Sequence, residues 1–357
     1  MIKLKFILTS VLLPLFLLGV TASCDDSFIF EKEGDCAPKI QFVFKKHRQA
    51  LHSIPGREAD VFYSTVGSVH LFVYDAETGQ LVFEKSENTE NLKSASDLNI
   101  GSETERCYLP VDLAPGKYRI VAWCGLDNTD KNNAFELVSG ARAADYSHCS
   151  VKYSSLTGQP VNDEKYDALY HGIVESVDIY LDAKDAQIIP LELTKNTNDI
   201  NVWVQHNTKT FDDDEYEVVY TDSNGSMKFD DNSMMNNNVL EFRPYEKSVL
   251  STDTEYNGSS VKSGAMIAHI STARLMAAHK SDARLEVRTK DGDVVFSIPF
   301  VKYILQMQTL TNNEQYYLDC EDTYNCSFYL SGENDSWMPS RIIINNWVVV
   351  PSQNDHL

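Results

Sequence analysis

The chain has 357 residues, a formal net charge of −21 at pH 7 and 11% aromatic residues, among them 18 tyrosines and 16 phenylalanines. The acidic balance argues against nucleic-acid binding and against electrostatic attachment to anionic lipid, since both use basic patches. The length suffices for two domains with cores of their own, and the aromatic content favours β structure.

Residues 1–23 have the features of a lipoprotein signal peptide. Two lysines near the start precede a mostly apolar run over 6–20, which is shorter than the roughly 20 residues that a membrane-spanning helix needs. Small residues then lead into Cys24, which we predict to be the acylated first residue of the mature chain, with two or more acyl chains for stable anchoring. The alternative, favoured by Thr21 where a lipobox usually has an aliphatic residue, is an ordinary secretory signal that leaves Cys24 as a plain thiol.

The first unit of the mature chain is predicted to be an N-terminal β-sandwich over 39–187. It is preceded by a polar, irregular stretch over 24–38, which is typical of a tether. Apolar and polar side chains alternate over Lys39–Phe44 and predict the first strand. Further strands are predicted over 66–75, 80–84, 107–113, 118–123 and 172–180.

Six cysteines remain after Cys24, an even number that permits disulfides in an exported chain. They are Cys36, Cys107, Cys124, Cys149, Cys320 and Cys326. Residues 114–117 have Pro-Gly at their centre and predict a tight turn. If the flanks form a two-residue hairpin, Cys107 lies opposite Cys124 at a distance that a disulfide can span. In the alternative, this turn passes the chain between two sheets and these two cysteines do not meet.

The second unit is predicted to be a C-terminal β-sandwich over 188–357. Strands are predicted over 190–194, 200–205, 217–220, 226–229, 239–242, 267–276, 283–288, 294–298, 316–319 and 327–330, with a short helix over 301–309. The chain closes with apolar runs over 341–344 and 347–350 on either side of Asn345-Asn346. This arrangement predicts a terminal hairpin, because asparagine accepts the positive φ angles of a tight turn.

A short pattern recurs in the two units. Residues 73–83 align with 219–229 without a gap, and a valine, a tyrosine, a glycine and a phenylalanine coincide. Hairpins often share such patterns, but the match favours two copies of one sandwich over a single large domain. We therefore expect an all-β protein with two tandem β-sandwich domains behind a lipoprotein signal peptide.

The sequence shows no catalytic constellation, and we expect neither enzyme activity nor a cofactor nor a bound metal. Motifs of the types GxSxG, HExxH and GxGxxG and a phosphate loop are absent. His269 and His279 are better explained as packed or solvated side chains than as metal ligands. The acidic runs at 212–215 and 230–231 lack the spacing of an EF-hand and indicate solvated loops. The paired carboxylates at 321–322 would point to opposite faces of a strand.

An ordered set of segments gives the chain a family resemblance. They are Cys24, the strand over 69–75, Leu-Ala-Pro-Gly-Lys-Tyr at 113–118, Val-Ala-Trp at 121–123, Leu-Glu-Leu-Thr-Lys-Asn-Thr-Asn-Asp-Ile at 191–200, the segment 317–330 and Ile-Asn-Asn-Trp at 344–347. Together they span nearly the whole chain and resemble the fimbrium-anchoring lipoproteins of Bacteroidetes, which are relatives of the fimbrillins. The cysteines at 320 and 326 depart from the pattern of that family.

The resemblance implies two transthyretin-like, Greek-key β-sandwich domains in tandem. It also implies export to the cell outer membrane, attachment there through lipid, and exposure on the cell surface. The protein would anchor a fimbrium at its base, limit its length and have fimbrillin-like subunits as partners. Subunits of such fimbriae join by β-strand addition, in which backbone hydrogen bonds supply affinity and alternate side chains supply specificity.

The terminal strands are one candidate for the strand-addition segment, and an edge of the first domain is another. The residues concerned are Arg341, Ile342, Ile343, Ile344, Trp347, Val348, Val349 and Val350. The alternative is an ordinary internal hairpin that closes the second sandwich. A different function, that of a cell-surface carbohydrate-binding lipoprotein, would need exposed aromatic side chains. Its candidates are Trp203, Trp337 and Trp347, although core packing also accounts for them.

Overall fold

The computed structural model describes residues 37–44, 62–126, 135–137, 150–153, 161–180, 187–212, 215–229, 239–307, 313–330 and 339–349. Over these residues the chain forms β-strands with only a few short helices, so the predicted all-β fold class is confirmed. No helix in these ranges is both long enough and apolar enough to cross a membrane.

The first sheet has seven strands. In the order in which they pair, they are β3 (Leu81–Asn88), β2 (Ser68–Asp75), β5 (Gly116–Cys124), β9 (Tyr170–Ile179), β10 (Ile188–Lys195), β1 (Lys39–Phe44) and β4 (Tyr108–Pro110). β1 runs parallel to β10, and all the other neighbours are antiparallel. A one-turn helix, α1 (Phe62–Thr65), packs on this sheet through the ring of Phe62, which stacks on Phe42 with 5.4 Å between ring centroids.

Two further sheets come mainly from the second half of the chain. The six-stranded sheet has the order β15 (Pro244–Tyr256), β16 (Ser259–Ala273), β11 (Thr197–His206), β19 (Thr323–Leu330), β20 (Pro339–Ile344) and β21 (Trp347–Val349). The five-stranded sheet has the order β18 (Val294–Pro299), β17 (Arg284–Thr289), β12 (Tyr216–Asp222), β14 (Leu240–Phe242) and β8 (Val161–Asn162). Side chains from both sheets meet in one core; for example, the rings of Phe296 and Phe328 lie 5.0 Å apart.

Short helices cap this core. α2 (Phe300–Leu305) follows β18 and buries Phe300 and Tyr303, and α3 (Glu314–Asp319) leads into β19. The sequence pattern predicted a strand over 316–319, and the structure corrects this to α3. The helix forms there because the Asn313 side chain accepts a hydrogen bond from the backbone N–H of Tyr316 at 3.0 Å, which is an N-cap.

Pairing crosses the predicted boundary between residues 187 and 188. β10 lies in the seven-stranded sheet, although it follows that boundary. A third, three-stranded sheet pairs β13 (Ser226–Lys228) with β7 (Ser150–Tyr153), next to β6 (Phe135–Leu137), and β8 pairs with β14. The division into two domains stays a prediction.

The core is continuous between the two halves. One face of the seven-stranded sheet has its own cluster, to which Ile40, Leu71 and Leu191 belong. The opposite face, with Phe72 and Trp123, joins the cluster that fills the interior of the second half. Because strands alternate their side chains between faces, β2 and β5 are apolar on both sides and belong in the middle of a sheet.

The predicted hairpin around 114–117 does not form. β4 lies at the edge of the seven-stranded sheet next to β1, and β5 lies between β2 and β9, so three strands separate β4 from β5. Cys107 and Cys124 therefore do not face each other, and Cys124 is a buried free thiol rather than half of the predicted disulfide. The reason is that β5 is a central strand, buried on both faces over 120–124. Both of its edges are paired, one with β2 and the other with β9, so neither is left for the short, proline-ended β4.

Candidate subunit interface on the six-stranded sheet

Among the residues that the structure describes, β21 is the last strand of the six-stranded sheet and pairs on one side only, with β20. It consists of Trp347, Val348 and Val349. Trp347 is 55% exposed and Val348 50% exposed, whereas Val349 is buried. The free side of β21 thus presents backbone N–H and C=O groups beside two large, half-exposed apolar side chains, which is the arrangement that strand addition uses.

A tight turn between β20 and β21 places β21 at the edge of the six-stranded sheet. Asn345 and Asn346 have φ angles of 45° and 70°, and Ile344 pairs with Trp347 across this two-residue loop, so the predicted terminal hairpin is confirmed. Asn345 is also bonded to β19. Its backbone N–H donates to the carbonyl of Asn325 at 2.9 Å, and its Oδ1 accepts from the N–H of Asn325 at 2.8 Å. The turn is therefore held by two strands.

β20 fixes which face each side chain of the hairpin occupies. Ile342 and Ile344 point into the core, where they are almost completely buried, and Val349 pairs with Ile342 on that inner face. Ile343 and Val348 are register partners on the outer face. Because the inner residues are packed, β21 is held in one register with Val348 outward.

A row of five register partners, four of them apolar, crosses the outer face of the sheet and ends at the edge. Ile267, Trp203, Ser327, Ile343 and Val348 are successive register partners on β16, β11, β19, β20 and β21. Trp203 is 37% exposed. The predicted aromatic candidate Trp203 therefore lies on the same face as Val348. Its strand, β11, is separated from β20 by β19.

A ladder of polar side chains runs beside this row. His269 Nδ1 lies 2.7 Å from Asn201 Oδ1, and Asn201 Nδ2 donates to Asn325 Oδ1 at 2.9 Å. The ring of Tyr245 lies 6.2 Å from that of His269. Sequence reasoning treated His269 alone and missed this ladder, because its three members come from three strands far apart in the chain.

The other sheet edges among the described residues are protected. Charges, proline and short length are the usual means by which edge strands avoid unwanted pairing. β3 carries Glu84, Lys85 and Glu87, β15 carries several charges, β13 carries Lys228, β6 carries Glu136, β4 and β18 end in proline, and β8 has two residues. β21 is short as well, but it contains neither a charge nor a proline.

The remaining predicted site residues are dispersed or lie outside the described ranges. Cys24, Trp337, Val350 and the acidic run at 230–231 belong to the second group. Arg341 is exposed on β20, where it pairs with Tyr329. Among the described residues, no group of three His, Cys, Asp or Glu side chains is arranged to hold a metal ion.

His279 belongs to a separate polar cluster near α2. Its Nδ1 lies 2.6 Å from Asp222 Oδ1, and this hydrogen bond raises the pKa of His279, while partial burial acts in the opposite direction. Tyr220 donates to Asp222 Oδ2 at 2.8 Å, and complete burial raises the pKa of Tyr220. The predicted packed role fits this histidine, since its partner is a buried carboxylate.

Comparisons with solved structures show the fold. A protein from Bacteroides thetaiotaomicron, provisionally described as an adhesin, is 25% identical with a TM-score of 0.67, over 88% of this chain and 97% of that one. A second from the same organism, provisionally described as polysaccharide binding, is 23% identical with a TM-score of 0.66, over 89% and 99%. The fimbrial anchor protein Mfa2 from Porphyromonas gingivalis is 16% identical with a TM-score of 0.56, over 88% and 99%.

Sequence comparison gives the family. No curated protein matches the chain. The model of the family described as fimbrillin-A associated anchor proteins Mfa1 and Mfa2 matches residues 32–352, which is most of the chain and includes the hairpin of β20 and β21. The chain therefore belongs to the Mfa2 family of fimbrillin-A associated anchor proteins.

Proposed function

We propose that this protein anchors the base of a fimbrium at the outer membrane. Lipid on Cys24 would hold it to the membrane, and β21 would hold it to the next subunit by β-strand addition. A subunit tethered at the base ends assembly on that side, which is how it would limit fimbrial length. Membership in the family of anchor proteins supports this role.

The observation that carries the subunit contact is the unprotected edge at β21. An incoming strand would complete the hydrogen bonds of that edge and cover Val348 and Trp347, which are half exposed in the isolated chain. Each cross-strand pair of this kind contributes about 0.2–1 kcal/mol beyond the backbone bonds. The edge of the first domain at β3, the other predicted candidate, is less suited, because it carries the exposed Glu84 and also Lys85 and Glu87.

A charge placed at the edge tests the contact. We expect Val348→Lys to abolish capture of fimbrial subunits from detergent-solubilised outer membranes, because strand addition would bury the ammonium group. The matched control is Val294→Lys on the edge strand β18, since Val294 is 53% exposed against 50% for Val348. Both variants should keep the thermal unfolding midpoint of the wild type. Equal capture by the two variants would reject β21 as the contact.

The membrane attachment has its own test. We expect Cys24→Ala to move the protein from the membrane fraction to the soluble fraction, and Cys36→Ala to leave it in place. Intact-mass measurement of the native protein should show the added acyl chains.

Deletion of the gene in a strain without a paralogue should release or lengthen the fimbriae. Attached fimbriae of normal length in that strain would contradict the anchor role.

Carbohydrate binding is the second candidate, and one observation favours it. Trp203 is partly exposed on the outer sheet face beside the hydrogen-bonded side chains of Asn201, His269 and Asn325, and aromatic rings flanked by amides suit sugar rings. A glycan array with the wild-type protein and with Trp203→Ala tests this. Binding that Trp203→Ala removes would favour the carbohydrate function, and an array without any binding would count against it.

A further inference from the structure

The directions of four strands determine how a pulling force would be transmitted through the protein. β1 and β10 run parallel, with six register pairs from Lys39↔Ile188 to Phe44↔Leu193. β11 and β19 also run parallel, with eight pairs from Asp199↔Thr323 to His206↔Leu330. Two parallel strands pulled at opposite ends slide along each other, so that all their pairs carry the load together.

β10 and β11 form one nearly continuous extended segment. Only Asn196 separates them, and its backbone N–H donates to the carbonyl of Leu169 at 2.7 Å. This bond continues the pairing of Lys195 with Tyr170 on β9 by one residue, so the chain does not turn there. A force that reaches β10 therefore passes to β11 through the covalent backbone.

Polar contacts reinforce this junction. The N–H of Asp199 donates to the carbonyl of Asp322 at 2.9 Å, and Asn198 Nδ2 donates to the carbonyl of Glu321 at 3.0 Å. Lys195 Nζ lies 3.6 Å from Asp322 Oδ2, with both side chains largely buried. The residue before β19 is thus bonded to both strands of the continuous segment.

We infer that β1, β10, β11 and β19 form a shear clamp that resists tension between the N-terminal end of β1 and the C-terminal end of β19. A pull at Lys39 draws β1 against β10, and a pull at Leu330 draws β19 against β11, in the opposite direction. Both parallel pairs are then loaded in shear, and the link between them is covalent. The direction of loading in the cell rests on the proposed function, since a tether before β1 and a subunit beside β20 and β21 would pull along this axis.

Single-molecule force spectroscopy on the mature chain tests the clamp. One handle is placed at Ala37 and the other at Arg341, which is exposed and pairs with Tyr329 at the C-terminal end of β19. In the matched geometry the second handle is at Ile188, which is 41% exposed and faces Lys39. Azide-bearing amino acids at these positions leave the native cysteines unchanged.

The two geometries load the same β1–β10 pairs in different ways. Handles at 37 and 188 separate the strands from one end, so the pairs break one after another, whereas handles at 37 and 341 load them together. At equal pulling speed we expect the force of first rupture to be roughly two to six times higher for 37/341, because six pairs share the load.

Equal rupture forces in the two geometries would overturn the clamp. The experiment uses the isolated chain, so its result does not depend on whether a subunit binds at β21. A clamp without capture of subunits would leave the mechanical inference standing and remove the anchor role. Capture of subunits together with equal rupture forces would leave the anchor role standing and remove the mechanical inference.

Discussion

Arg274 and Asp319 form a doubly hydrogen-bonded ion pair inside the protein. Arg274 Nε donates to Asp319 Oδ1 at 2.9 Å, and Nη2 donates to Oδ2 at 2.7 Å. Both side chains are almost fully buried, at 2% and 3% exposure. Gln315 Nε2 also donates to Asp319 Oδ1 at 3.0 Å. The pair joins the end of β16 to α3, and α3 leads into β19, so it supports the sheet that ends at β21.

Removing the negative charge of this pair should destabilise the protein strongly. Asp319→Asn removes the negative charge that pairs with the buried Arg274 guanidinium, and we expect a loss of about 3–5 kcal/mol in the free energy of unfolding, measured by urea denaturation. Glu314→Gln is the matched control, because it breaks the exposed Lys280–Glu314 pair at 2.8 Å and should cost about 1 kcal/mol or less. Similar losses in both variants would contradict the buried pair.

The contact between His279 and Asp222 should make stability depend on pH. Because the pKa of His279 is raised in the folded state, its stabilising contribution is fully present below its ordinary value of 6.5 and is lost as the pH rises through the folded-state pKa. We expect His279→Gln to reduce this loss in unfolding curves collected from pH 5 to 9. An undiminished loss in His279→Gln would contradict a role for this contact.

Gly264 lies where the backbone of another segment approaches β16. A Cβ there would lie 2.6 Å from Thr210 Cα, 2.8 Å from the carbonyl oxygen of Lys209 and 2.9 Å from the backbone N of Phe211. We expect Gly264→Ala to cost about 1–3 kcal/mol in urea denaturation, since only backbone movement relieves these contacts. Gly101→Ala, whose nearest neighbour is the Ala95 side chain at 3.5 Å, should change stability by less than about 0.5 kcal/mol.

Two core thiols should be unreactive while the protein is folded. Complete burial raises the pKa of the Cys124 and Cys326 thiols, so the reactive thiolate is scarce and inaccessible. We expect neither residue to be alkylated by iodoacetamide in native buffer, and both to be alkylated in urea without a reductant, as read by peptide mass spectrometry. Alkylation of Cys124 in urea only after reduction would restore the predicted bridge to Cys107.

Local sequence patterns determined much of the β structure. The alternation over Lys39–Phe44 matches β1, and Asn345-Asn346 predicted the terminal turn, because both depend on properties of a few neighbouring residues. The long hairpin of β15 and β16 was predicted only in part. β15 carries charges along its length, and its strand structure depends on pairing with β16 rather than on apolar alternation.

The sequence by itself determined much of the strand content, the family resemblance and the turn at Asn345-Asn346. Only the tertiary structure decided which strands pair. It placed β4 beside β1 instead of β5, aligned β1 with β10 and β11 with β19, and left β21 at an edge with Val348 outward. The physical reason is that alternation specifies which face of a strand is buried but not its partner. Partners are chosen by packing between residues more than a hundred positions apart, such as Trp203 and Ser327.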